Sequence, residues 1–188
     1  MSLGAVIVAG GQGRRFGSPL KCLPVLSRLI RALRLAGCSR VVIAGNHDGL
    51  DMSGCVRVRD AAHDCGPLGG IVAALPALAG YEAAMIVAGD MHRLRPRDIR
   101  RVMGSWRRTR LAAYASVSSN GTSHRAFPSL FGILPATTWH VAAEQLASRR
   151  LGVHRLWRRA RARPVWFSAF RLADHDHPPL GIRAAPGA

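Results

Sequence analysis

Residues 3–9, Leu-Gly-Ala-Val-Ile-Val-Ala, form a short apolar run that stops at Gly10-Gly11. A run with no polar face must be covered on both sides, which is the condition of a strand inside a parallel sheet. The next segment has a different period. Over Leu23–Ala36 the apolar residues Leu26, Leu29, Ile30, Leu33 and Ala36 recur at helical spacing, arginines take the other side, and Gly37 closes the segment. The alternation continues to the end of the patterned region. Strands are expected at Val41–Ala44, Val56–Val58, Ala83–Ala88, Leu111–Val117, Ser129–Leu134 and Pro164–Phe170. Helices are expected over Gly70–Leu78, from Pro96 to Trp106, from Thr137 to Arg149 and from Leu151 to Arg163. Strands alternating with helices in this way imply an α/β fold, Rossmann-like, with a mostly parallel sheet in a three-layer α/β/α arrangement. In such sheets ligands bind beyond the carboxyl ends of the strands. Residues 10–21, 45–47 and 89–92 follow three of the expected strands and are therefore the segments to search.

The chain's 188 residues suit a single domain, expected over 1–173. The Pro-, Ala- and Gly-rich tail 174–188 is expected to be poorly ordered. No apolar stretch approaches the roughly 20 residues that a membrane span needs. No basic segment precedes residues 3–9, so a secretory signal is not expected there. Cys22, Cys38, Cys55 and Cys65 contain no CxxC pair, which argues against both a metal knuckle and a disulfide framework. A cytoplasmic monomer is the expectation.

Charge raises a rival. Lys and Arg total 27 against 10 Asp and Glu, a formal net charge of +17, as expected of a nucleic-acid binder. The arginines, however, are spread along the chain and are not interleaved with aromatics, which make up only 6%. Solvated helix faces explain them more simply, and an Arg-rich nucleic-acid-binding domain stays as the alternative from a different class. Among all these cations only Lys21 is a lysine. A compact ammonium is not interchangeable with a guanidinium where a phosphate must be reached.

Lys21 ends the segment Gly10-Gly11-Gln12-Gly13-Arg14-Arg15-Phe16-Gly17-Ser18-Pro19-Leu20-Lys21. A Gly-rich loop after a buried strand lets backbone N–H groups approach phosphate oxygens, and Arg14, Arg15 and Lys21 add positive charge. The loop is not a P-loop, because Leu20 precedes Lys21 and Cys22 follows it. Nor is it a dinucleotide fingerprint, because three residues separate Gly13 from Gly17 and no acidic residue closes the second strand.

Val8 to Gly17 with Lys21 resembles the signature of the NTP-transferase (nucleotide-diphospho-sugar transferase-like) superfamily. Within it the chain is most similar to the molybdenum cofactor guanylyltransferases, the MobA family. Asn46 after the second strand, Asp60, the segment Cys65-Gly66-Pro67-Leu68-Gly69-Gly70-Ile71, Gly89-Asp90-Met91 and Phe127-Pro128-Ser129-Leu130-Phe131-Gly132 agree with that family in order and spacing. The resemblance implies transfer of GMP from GTP to the terminal phosphate of molybdopterin, with pyrophosphate released. It implies Mg²⁺ as cofactor and molybdoenzyme apoproteins or cofactor chaperones as further partners. Lys21 would neutralise charge near the α-phosphate, Arg14 and Arg15 would hold the leaving phosphates, and Asp90 would hold the metal. Ala9, Gly10, Gly11, Gly13, Asn46, Asp60, Gly66, Pro67, Leu68 and Gly70 would line the nucleotide site. A cytidylyl transfer to the same acceptor is the neighbouring alternative, and Ala9-Gly10-Gly11 tilts the choice toward guanine. A divergent NTP transferase with another acceptor is a further one.

Each residue also has a plainer role open to it. Asp90 could cap the helix at Pro96, Asp60 and Asn46 could be turn residues, and Gly66-Pro67 could simply open a helix. The chain departs from the family pattern in three places, the first being the family's short loop between the lysine and the following helix, which is missing because Pro24-Val25-Leu26 runs almost directly into the helix. Asp90-Met91-His92 stands where the family has Asp-x-Pro, and the tail from Asp174 lacks the family's Asn-x-Asn-Thr-Pro segment, which bears on the acceptor.

Overall fold

The computed structural model describes residues 2–9, 23–45, 52, 54–61, 64–117 and 130–167. An interior strand of its sheet, β1 (Leu3–Val8), is buried at all six positions. It pairs in parallel with β2 (Arg40–Ala44) on one side, Ala5 opposite Val41, and with β4 (Ala83–Ala88) on the other, Ala5 opposite Met85. The short β3 (Val56–Val58) extends the sheet beyond β2. Beyond β4 lie β6 (Phe131–Pro135), β5 (Ala113–Val117) and β7 (Arg163–Phe167), in that order. The seven-stranded order is β3-β2-β1-β4-β6-β5-β7. Only β6 opposes its neighbours, pairing antiparallel with both β4 and β5. The sheet is therefore mostly parallel, as the apolar runs imply.

Alternating side chains divide the core into two layers. Leu3, Ala5 and Ile7 of β1 meet α1 (Leu23–Ala36) and α3 (Pro96–Thr109). Val6 and Val8 meet α2 (Gly66–Ala74), on the face that also carries α4 (Trp139–Ala147) and α5 (Val153–Arg159). The end of α1 is set locally. Gly37 takes φ +109°, its N–H donates to Arg34 O, and Cys38 N–H donates to Leu33 O, both at 3.0 Å. That pair of bonds satisfies carbonyls left over at the helix end.

Several boundaries differ from those the sequence suggests. The helix expected at Gly70 begins at Gly66, because Pro67 is tolerated in a first turn and Gly66 supplies the left-handed φ of +54° before it. Its last expected turn, Leu75–Leu78, is a 3₁₀ turn around Pro76. The helix from Pro96 continues to Thr109, and the expected 151–163 helix is only Val153–Arg159. A strand expected from Ser129 starts at Phe131, and Thr138 ends a 3₁₀ turn before α4. Asp90 does not cap α3. The cap is Arg95, whose backbone N–H donates to Asp98 Oδ2 at 3.0 Å.

Two glycines let layers touch. A Cβ on Gly4 would overlap the side chain of Leu78, and one on Gly132 would lie 2.6 Å from Ala113 O and 2.8 Å from the Trp157 ring. Trp157 is buried and stacks on Tyr114, ring centroids 6.2 Å apart. Trp106 is buried like Trp157, and both pack in the core. Among the described residues no helix is long and apolar enough to cross a membrane.

Candidate active site

The carboxyl ends of the four parallel strands β3-β2-β1-β4 are tied together one residue past each ladder. Ala9 N–H donates to Ala44 O at 2.8 Å, Gly45 N–H to Val58 O at 3.0 Å, and Gly89 N–H to Val8 O at 2.9 Å. These bonds hold the exits from β1, β2 and β4 level, so the segments that follow emerge along one edge. Three strand spacings separate β3 from β4, about 14 Å, and both acidic residues singled out in the sequence lie along this edge.

Asp90 follows Gly89 at the end of β4. A Cβ on Gly89 would stand 3.2 Å from Ala9 Cα and 3.3 Å from both Ala9 Cβ and Val8 O. Glycine thus lets the β4 exit lie directly against Ala9, the residue from which the Gly10–Lys21 segment departs. The Asp90 residue is half-buried. A carboxylate is a hard oxygen donor of the kind Mg²⁺ takes, and Mg²⁺ is commonly held by one or two carboxylates with substrate phosphates completing its shell. Among the described residues no group of three or more His, Cys, Asp or Glu forms a ready-made metal cage. The single carboxylate of Asp90 is a donor of this kind.

Asp60 follows β3 and Arg59. Its Oδ1, shielded from solvent, lies 3.0 Å from where a Cβ on Gly70 would stand, and that same position is 3.2 Å from Ala44 Cβ and 3.5 Å from Val8 Cγ1. The neighbouring Ala61 N–H donates to Gly69 O at 3.4 Å. Asp60 is thereby drawn over the first turns of α2 and toward the ends of β1 and β2. The first turn of α2 holds no acidic residue of its own, so a carboxylate there suits the positive end of the helix.

Of the expected nucleotide-site residues, Ala9, Asp60 and Gly70 come together at this edge. Gly66 and Pro67 stand at the start of α2, with Pro67 exposed. Leu68 is fully buried in the core between α2 and the sheet, so only its backbone can serve a ligand. Gly10, Gly11, Gly13, Arg14, Arg15, Lys21 and Asn46 lie outside the described residues, as do the 118–129 segment and the tail.

The structure gives contacts to two residues for which sequence reasoning proposed no role. His92 N–H donates to Asp90 O at 2.7 Å, and Arg93 Nε–H donates to His92 Nε2 at 3.2 Å. The only sequence signal for them is the departure from Asp-x-Pro at this point.

The comparisons with known proteins agree with this architecture. A putative protein, Aq1419, from Aquifex aeolicus VF5 superposes with a TM-score of 0.72 at 14% identity, covering 93% of this chain and 94% of that one. The 2-C-methyl-D-erythritol 4-phosphate cytidylyltransferase of Thermus thermophilus gives 0.69 at 16% identity, covering 95% and 94%. Rv0371c of Mycobacterium tuberculosis H37Rv, in complex with manganese, gives 0.62 at 17% identity, covering 89% of both chains. Likeness at these identities establishes the shared α/β fold of nucleotide-diphospho-sugar transferase type. No curated protein matches in sequence. The model of the MobA-like NTP transferase domain matches residues 5–184, nearly the whole chain, and the protein therefore belongs to the MobA-like NTP transferase family of nucleotidyltransferases.

Proposed function

We propose that this nucleotidyltransferase transfers GMP from GTP to the terminal phosphate of molybdopterin and releases pyrophosphate. The observation that supports the reading is the Gly89–Ala9 contact, which brings the chain at Asp90 next to Ala9, the residue after which the glycine-rich segment with the chain's single lysine follows in sequence. An oxygen of the acceptor phosphate attacks the α-phosphorus as the bond to the β-phosphate breaks. The nucleophile is already an anion, so no strong general base is needed, and catalysis rests on positioning and charge neutralisation.

In this reading Asp90 holds Mg²⁺, which when bound neutralises the triphosphate. Lys21 lies at the α-phosphate, Arg14 and Arg15 hold the departing pyrophosphate, and backbone N–H groups of Gly10, Gly11 and Gly13 receive phosphate or base. Ala9, Asn46, Asp60 and the Gly66–Gly70 backbone shape the nucleoside pocket. The solved relative from Thermus thermophilus is named as a cytidylyltransferase, and this supports cytidylyl transfer as the second reading with the same chemistry.

Equilibrium binding of GTP, CTP, ATP and UTP, with and without Mg²⁺, tests this on wild type, Lys21→Ala and Asp90→Asn. Guanine-selective, Mg²⁺-dependent binding lost in both variants is the expected result. Preference for CTP would move the chain to the second reading. Absence of nucleotide binding, with salt-sensitive binding to DNA or RNA, would overturn both.

A further inference from the structure

The turn after Asp90 is pinned at two points and hydrogen-bonded between them. Met91 and Leu94 are buried in the core layer of α1 and α3, and Leu94 N–H donates to Met91 O at 3.2 Å. The half-buried His92 and Arg93 stand between these anchors. His92 turns both of its nitrogen-bearing groups on one acceptor. Its backbone N–H lies 2.7 Å, and its ring Nδ1 3.4 Å, from the carbonyl oxygen of Asp90. The other ring nitrogen, Nε2, receives the Nε–H of Arg93 at 3.2 Å.

An arginine nitrogen only donates, so Nε2 of His92 is the acceptor in that bond and the ring proton resides on Nδ1. That is the nitrogen facing the Asp90 carbonyl. The donors thus run in one direction, Arg93 to His92 to Asp90. A hydrogen bond of this kind to one ring nitrogen selects what the other can do. We infer that Arg93 and His92 are positioning residues for Asp90. They lock the peptide that carries its carboxylate, so that the carboxylate meets a metal–nucleotide complex in a preset orientation. The inference rests on the reading of Asp90 as the metal-holding residue. Groups that orient a metal-binding residue without touching the ion commonly contribute 10–100-fold to metal affinity.

Two variants break the chain of bonds while keeping bulk: His92→Phe, which can neither donate nor accept from its ring, and Arg93→Met. Two variants preserve it. In His92→Gln the amide offers a donor and an acceptor at about the separation of the ring nitrogens, and Arg93→Lys keeps a donor. The first measurement is nitrogen-15 NMR of the imidazole in the wild-type chain, where the proton is expected on Nδ1 of His92. A proton on Nε2 would overturn the proposal.

The second measurement is Mn²⁺ uptake by the protein in the presence of GTP or CTP, followed by paramagnetic resonance. His92→Phe and Arg93→Met are expected to weaken Mn²⁺ binding about tenfold or more, with unfolding midpoints near wild type. His92→Gln and Arg93→Lys are expected to recover most of the loss. Equal Mn²⁺ affinity in all five proteins would overturn the positioning role while leaving the function of Asp90 intact. Failure of the wild type itself to take up Mn²⁺ would instead overturn the reading of Asp90 and, with it, the role of the pair toward a metal. The direction of the hydrogen bonds would still be decided by the NMR result.

Discussion

Oδ1 of Asp60 lies 3.0 Å from the point at which a Cβ on Gly70 would stand, so the missing side chain of one residue defines the seat of the other. The same point is 3.2 Å from Ala44 Cβ and 3.5 Å from Val8 Cγ1. Gly70 is therefore the place where α2, β1, β2 and the Asp60 loop converge.

Gly70→Ala separates two opposing effects. Alanine in a helix interior gains about 1 kcal/mol over glycine in propensity. Overpacking of a buried contact costs about 1–3 kcal/mol, and here one neighbour is a carboxylate on a loop, which can move. Stability is expected to change by less than about 1 kcal/mol, while nucleotide affinity falls as Asp60 is displaced. Denaturant unfolding and nucleotide titration on the same preparation check this. Unchanged affinity would show that Asp60 and its seat do not serve the ligand.

Gly132→Ala has no such escape. The added methyl would meet Ala113 O at 2.6 Å and the Trp157 ring at 2.8 Å, the first a backbone atom of the paired strand and the second part of a buried side chain. Glycine in a strand interior marks this kind of close approach. A loss of about 2–4 kcal/mol is expected, read as a lower urea midpoint. A variant within about 0.5 kcal/mol of wild type would mean that β6 and α5 are farther apart than they stand here.

Cys38 carries a pH dependence. Burial raises its thiol from 9.0 to about 12. The folded chain then keeps a proton that the unfolded chain releases above about pH 9, so folding is opposed as pH rises. Between about pH 9 and pH 12 the cost grows by about 1.4 kcal/mol per pH unit. Cys38→Ala is expected to lose stability at neutral pH through the small cavity, yet to show a shallower decline above about pH 9. Parallel declines in the two proteins would show that Cys38 ionises as freely when folded as when unfolded.

Much of the fold is legible residue by residue. Leu23–Ala36, Val56–Val58 and Ala83–Ala88 have the same bounds in sequence pattern and structure; the first and last are clean apolar periods closed by their own punctuation, Gly37 after α1 and Gly89 after β4. The start of α2 was obscured by Gly66-Pro67, two residues that usually break structure but here begin a helix. Asp60 and Asp90 were visible as acidic residues just past expected strands. The His92–Arg93 pair was not, because nothing in Met91-His92-Arg93-Leu94 by itself says that one side chain donates to the next.

The chain's own order of residues thus determined which segments are strands and helices and which faces they bury, since periods of two and 3.6 residues are local properties. It also determined where the glycines that permit close approach would stand. The tertiary structure decided the rest: the order β3-β2-β1-β4-β6-β5-β7, the reversal of β6 within it, the seating of Asp60 on Gly70 and of Gly89 on Ala9. Those outcomes depend on pairings between residues far apart in the chain. Their free energies come from which buried surfaces meet, a quantity that no local pattern contains.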